Sequence, residues 1–113
     1  MSTLYIIISL FGLGALVGMY LLSLVLQKKE TPKFVAFIHG AFVASALVLL
    51  MYYACNGHPD LAETIIILVI AALGGITLIV RDITKKSLPP WLAVGHALIA
   101  VIGFLYLLIY AWK

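Results

Sequence analysis

Charge is what this chain has least of. Asp, Glu, Lys and Arg make up 10% of its 113 residues, where a soluble domain carries about a quarter. None of that charge falls inside four apolar runs, Leu4–Leu26, Phe34–Ala54, Thr64–Val80 and Trp91–Trp112. Cysteine is nearly absent too. Cys55 stands alone, so no internal disulfide can form. There is no glycine-rich phosphate loop, no nucleophile–base pair and no carboxylate dyad, which leaves hydrolytic chemistry without residues to perform it. No short basic segment precedes the first apolar run, which is itself long enough to span a bilayer. It reads as a retained helix rather than a cleaved signal peptide.

What the chain has in abundance is apolar residues, 65% of the total. A helix needs about 20 residues to cross a hydrocarbon core of about 30 Å. Three of the runs meet that length, and the third does so when Leu61 and Ala62 are added. The expected fold is all-α: an integral membrane four-helix bundle with short connections, consecutive helices antiparallel, and no soluble domain. Residues 1–113 form a single transmembrane domain.

The basic balance does not point to nucleic acid, because its placement reports topology. Lys28, Lys29, Lys33, Arg81, Lys85 and Lys86 lie in the first and third connections, while the second carries Asp60 and Glu63. The positive-inside rule puts loops 27–33 and 81–90 in the cytoplasm and both termini outside, as expected in a bacterial inner membrane. Phe34 and Trp91 mark the inner interface. Tyr5, Tyr52, Tyr53, Tyr106, Tyr110 and Trp112 mark the outer one.

The chain also repeats itself. Aligned at an offset of 57, residues 8–54 match 65–111 at 13 of 47 positions. Among them are Gly18/Gly75, Lys28/Lys85, Lys29/Lys86, Pro32/Pro89, Ala36/Ala93 and His39/His96. Apolar matches are cheap here, but glycine, proline, paired lysine and histidine in one register are not. Two hairpin units follow, about 4–54 and 61–112, entering the membrane in the same orientation and related by a pseudo-two-fold axis along its normal.

Pro32 and Pro89 precede the second and fourth helices. Each is followed seven residues later by a histidine, so His39 and His96 sit at equal depth, on the order of 10 Å from the cytoplasmic helix ends. Diagonal helices related by the pseudo-axis turn equivalent faces to the bundle interior, where an imidazole belongs. On those faces lie Ala36, Val43 and Ala46 in one helix and Ala93, Ala100 and Gly103 in the other. With Gly18 and Gly75 these small residues outline a flat slot beside two nitrogen ligands. That is the arrangement bis-histidine haem ligation requires. Arg81, whose counterpart is Leu24, is the candidate partner for a haem propionate. A bare metal is disfavoured, since zinc normally takes four ligands and no Cys or carboxylate lies at that depth. The bland role for such a pair is hydrogen bonding to a neighbouring helix. Gly14-x-x-x-Gly18 and Ala71-x-x-x-Gly75 likewise suit close helix packing.

At His39-Gly40-Ala41-Phe42-Val43-Ala44 and His96-Ala97-Leu98-Ile99-Ala100-Val101-Ile102-Gly103-Phe104 the chain resembles the histidine-bearing helices of small membrane b-type cytochromes. The resemblance covers the second and fourth helices and implies a four-helix bundle holding haem b, with electron transfer as the activity. Larger members hold two haems through four histidines, whereas this chain has two histidines within its apolar runs. A redox partner protein, a quinone or a homodimer would complete an electron path. The alternatives are a small four-helix transporter, resembling the small multidrug resistance family in length but lacking its first-helix glutamate, and a structural membrane subunit. In both, the histidines would serve hydrogen bonding or proton relay. Cys55-Asn56-Gly57-His58-Pro59-Asp60 reads as a turn.

Overall fold

Four apolar runs, separated by proline, glycine and paired lysine, become four helices. A computed structural model describes residues 2–112. In order these are α1 (Thr3–Leu26), α2 (Lys33–Cys55), α3 (Ala62–Ile83) and α4 (Pro90–Trp112), with a single 3₁₀ turn at Pro59–Leu61 leading into α3. The third run gains length at both ends. With its 3₁₀ turn the span is Pro59–Ile83, 25 residues, and Arg81 and Asp82 lie within the helix. Pro32 caps α2 at Lys33, and Pro90 opens α4 directly after Pro89, where a missing N–H costs nothing.

The helices form two antiparallel hairpins, α1 with α2 and α3 with α4; α1 also meets α4 and α2 meets α3. The histidine-bearing α2 and α4 therefore stand on one diagonal. The bundle measures 42 × 23 × 21 Å, its long axis matching a bilayer with its headgroup regions, about 40–45 Å. Its surface is apolar nearly all round: Leu16, Met19, Val48, Leu73, Leu98 and Ile109 are exposed. Water would penalise that surface heavily, whereas lipid matches it. Each helix is long and apolar enough to cross a membrane, the architecture of an integral membrane protein. Phe34 and Trp91 at one end, and Tyr5, Tyr52 and Trp112 at the other, are among the exposed aromatics. The polar residues Ser9, Ser23 and Thr77 satisfy their hydroxyls on carbonyls of their own helix.

All but Leu61 and Ala93 of the buried positions fall in pairs 57 apart. Ile7, Phe11 and Gly14 on α1 correspond to Thr64, Leu68 and Ala71 on α3, and Ala46 and Leu50 on α2 correspond to Gly103 and Leu107 on α4. The large buried side chains Ile7, Phe11, Leu50, Leu61, Leu68 and Leu107 form one cluster. It lies in the half of the bundle nearer the termini. Toward the lysine-rich loops the interior is made differently, by the two histidines with small and half-buried neighbours.

The helix ends near the lysines are also matched. Lys28 N–H donates to the Val25 carbonyl and Lys29 N–H to Leu24; Lys85 N–H donates to Asp82 and Lys86 N–H to Arg81. This is the Schellman pattern, with the left-handed residue one place beyond the cap. That residue is Lys28 at φ 58° and Lys85 at φ 59°, positions where glycine would be the unstrained choice. Replacing either lysine by glycine is expected to stabilise the protein by about 0.5–1 kcal/mol after the lost helix-terminal cation is counted. Lys28→Val is expected to destabilise it. Unfolding curves of the detergent-solubilised protein check both, and a glycine variant that unfolds earlier contradicts the assignment.

Candidate functional site

A lone imidazole in hydrocarbon must find a hydrogen-bond partner. Here each ring finds it on the other helix of its own hairpin. His39 Nδ1–H donates to the Gly14 carbonyl on α1 at 2.8 Å, and His96 Nδ1–H to the Ala71 carbonyl on α3 at 2.7 Å. A carbonyl can only accept, so the proton of each neutral ring is on Nδ1 and the lone pair on Nε2.

The glycines explain how a side chain reaches a carbonyl that already serves its own helix. In an α-helix the carbonyl of residue i is bonded to the N–H of residue i+4, beside that residue's side chain. The residues four beyond Gly14 and Ala71 are Gly18 and Gly75. A Cβ on Gly18 would stand 2.8 Å from His39 Cε1, and one on Gly75 would stand 3.0 Å from His96 Cε1. The missing side chains thus uncover the two carbonyls, and the imidazoles occupy the space they leave. Both histidines are half-buried.

The rings meet across the bundle. Their centres are 6.3 Å apart and their planes are at 89°. Two imidazoles on opposite sides of one metal, with metal–nitrogen bonds of about 2.0–2.1 Å, place their ring centres about 6–6.5 Å apart. The separation and the donor chemistry both fit a shared axial metal. Among the described residues no cluster of three or more His, Cys, Asp or Glu is present.

The other expected site residues are distributed unevenly. Ala93 is buried and Ala36 and Ala100 are half-buried. Val43 packs on Gly14, where an added Cβ would lie 2.5 Å from Val43 Cγ1. Ala46 belongs to the apolar cluster. Gly103 admits Leu68, whose Cδ2 would be 2.7 Å from an added Cβ. Val43, Ala46 and Gly103 are thus occupied with helix packing on the terminal side of the histidines. Arg81 Nε donates to the Ser87 carbonyl at 2.8 Å, folding the guanidinium onto the α3–α4 loop.

Two features escaped the sequence reading. One is the pair of carbonyl acceptors: Gly14 and Ala71 are not identical and so do not stand out in the alignment. The other is Asp82, which accepts from Thr31 Oγ1 at 3.0 Å and lies 3.7 Å from Lys33 Nζ. It ties the loop of the first hairpin to the second. Its counterpart is Val25, so the repeat gave no hint of it. The loop after α2 is a turn: Gly57 takes φ 100°, and the His58 ring stacks on Tyr53 at 3.9 Å while its Nδ1 bonds the Tyr53 carbonyl.

Gly18→Ala and Gly75→Ala are expected to push the imidazoles off their carbonyls and to cost about 1–3 kcal/mol each. Gly12→Ala, Gly40→Ala and Gly95→Ala, where an added Cβ meets nothing within 4 Å, are expected to be neutral or mildly stabilising. Unfolding in mixed micelles measures the difference, and ¹⁵N shifts of the imidazoles report the tautomer directly. Equal effects in the two groups would refute the uncovered-carbonyl mechanism.

Comparison of the chain with protein-family models, curated proteins and solved structures gives no match.

Proposed function

We propose that the chain is a duplicated helical hairpin that holds one b-type haem in the membrane, with His39 and His96 as axial ligands, and that its activity is electron transfer. One observation carries this reading: two imidazoles from diagonal helices face each other at 6.3 Å with their Nδ1–H groups tied down. Fixing Nδ1–H on a backbone carbonyl orients a histidine and raises the basicity of Nε2, as it does in metal-ligating histidines generally. The buried apolar cluster lies on the terminal side of the rings. Gly18 and Gly75 keep α1 and α3 slender at the histidine level.

In this reading Ala36, Ala93 and Ala100 flank the rings, and Val43, Ala46 and Gly103 close the interior on the terminal side. Arg81 has N–H donors beyond the Nε that Ser87 holds, and it stands at the lysine-rich end as a propionate partner. Haem b, when bound, supplies one-electron chemistry at iron. The protein's part is to fix two ligand orientations, exclude water and set the local polarity. Loops 27–33 and 81–90 face the cytoplasm under the positive-inside rule. Electrons are exchanged with a protein partner or a quinone, with a homodimer as one way to extend the path. The small membrane b-type cytochromes that helices α2 and α4 resemble follow the same plan.

The same Nδ1–H bonds also suit a purely structural clasp within each hairpin, and the test separates the two. The visible spectrum of the purified protein is expected to show a sharp Soret band that shifts on reduction, with resolved α and β bands. His39→Ala and His96→Ala should each abolish the six-coordinate low-spin signature. A colourless protein that also takes up no added haem would overturn the reading and leave the histidines as clasps.

A further inference from the structure

Each hairpin is clasped from within. His39 bonds the Gly14 carbonyl and His96 the Ala71 carbonyl, and the close approaches at Gly14, Gly18, Gly75 and Gly103 all join helices of one hairpin. Between the hairpins the contacts are of another kind. Phe11 meets Phe104 with ring centres 6.3 Å apart, and the apolar cluster that includes Leu50 and Leu107 lies toward the termini. Toward the lysines the seal is thinner. Residues 15–45 include no buried position, and their counterparts 72–102 include Ala93 alone. There Asp82 makes the one side-chain hydrogen bond and the one salt bridge that join the hairpins among the described residues, to Thr31 Oγ1 at 3.0 Å and Lys33 Nζ at 3.7 Å. Asp82 is an unfavourable choice for its own helix. An acid in the last turn opposes the helix dipole, and its counterpart in the first hairpin is Val25.

We propose that Asp82 is a latch between two rigid hairpins. When it lets go of Thr31 and Lys33, the hairpins hinge about the terminal apolar cluster and part at the lysine end, opening the histidine pair to solutes from that side. Rigid units turning about a retained contact are an ordinary form of protein motion. In lipid, apolar contact between helices has no hydrophobic effect behind it, so the half joined by a single carboxylate parts more readily than the half that holds the large buried side chains. The histidines stand on the boundary that opens. His39 belongs to one hairpin and His96 to the other, with their ring centres 6.3 Å apart across it. The Nδ1–H bonds lie within the hairpins and survive the motion, so the rings separate without losing their carbonyls. The latch is a property of the hairpins and does not depend on what the rings hold.

The test uses the full chain in nanodiscs with Cys55→Ser, so that spin labels go only to introduced cysteines. One labelled pair, Glu30→Cys with Ser87→Cys, spans the hairpins at the lysine end. The other, Thr3→Cys with Glu63→Cys, spans them at the terminal end. In Asp82→Val, which gives the position the residue type of Val25, the lysine-end distance is expected to lengthen and broaden while the terminal-end distance stays unchanged. In the same variant the Cε1 protons of His39 and His96 should relax severalfold faster in the presence of an uncharged, water-soluble gadolinium chelate. Asp82→Asn keeps an acceptor for Thr31 and is expected to open the end only in part. Unfolding curves confirm that the variants fold; if Asp82→Val does not, Thr31→Val removes the hydrogen bond from the other side and reads the same distances. The inference is overturned if the lysine-end distance is unchanged in the folded variants, if both distances lengthen together, or if the histidine protons stay as protected as before.

Discussion

The arrangement depends on a hydrogen bond from an imidazole to a helix carbonyl that would ordinarily be covered. In lipid no hydrophobic effect draws helices together, so packing and polar contacts between them decide the structure. Here one contact fixes several things at once. Gly18 and Gly75 bring α1 against α2 and α3 against α4 at the histidine level, and the Gly14 and Ala71 carbonyls set the plane and the tautomer of each ring. With Nδ1 committed, the only lone pair left on each imidazole is at Nε2. One bond thus both holds the hairpin together and fixes which nitrogen of each ring stays free.

The bundle is closed differently at its two ends. Near the termini, Ile7, Phe11, Leu50, Leu61, Leu68 and Leu107 pack as one apolar cluster. Near the lysines the helices are joined by Asp82, which reaches Thr31 and Lys33 across the hairpins. An acid near a helix C-terminus opposes the dipole, and its two partners offset that penalty. Between these closures the interior holds the histidine pair. An electrostatic tie at one end and an apolar plug at the other hold the four helices around the histidine pair.

Much of this was legible in the apolar runs and in the residues that match at an offset of 57. The apolar runs gave the four helices, and the offset of 57 put His39 and His96 at one depth on diagonal helices. What the alignment could not convey was backbone chemistry. Gly14 and Ala71 differ as side chains and act alike as carbonyls, and Gly18 looks like space for a ligand until the imidazole is seen to fill it. Lys28 and Lys85 were read for charge, while their backbones adopt left-handed φ that only the helix-ending hydrogen bonds explain. Val43, Ala46 and Gly103 share a helix face with the histidines, but a helix face alone does not tell a slot from a seam. That is decided by the partner helix, through Gly14 and Leu68.

The departures from symmetry carry as much information as the matches. Arg81, Asp82 and Thr64 stand opposite Leu24, Val25 and Ile7, and Asp60 and Glu63 stand opposite Thr3 and Ile6. Each substitution puts a polar or charged group where the other hairpin has none, or in one case only a hydroxyl. Each also lies near a membrane–water boundary, where a charge is affordable, rather than at mid-bundle, where it is not. Paired positions supply most of the interior and the lysine-bearing helix ends, while these unpaired polar groups lie toward the two ends. The bundle therefore presents different chemistry at its two ends around one common centre.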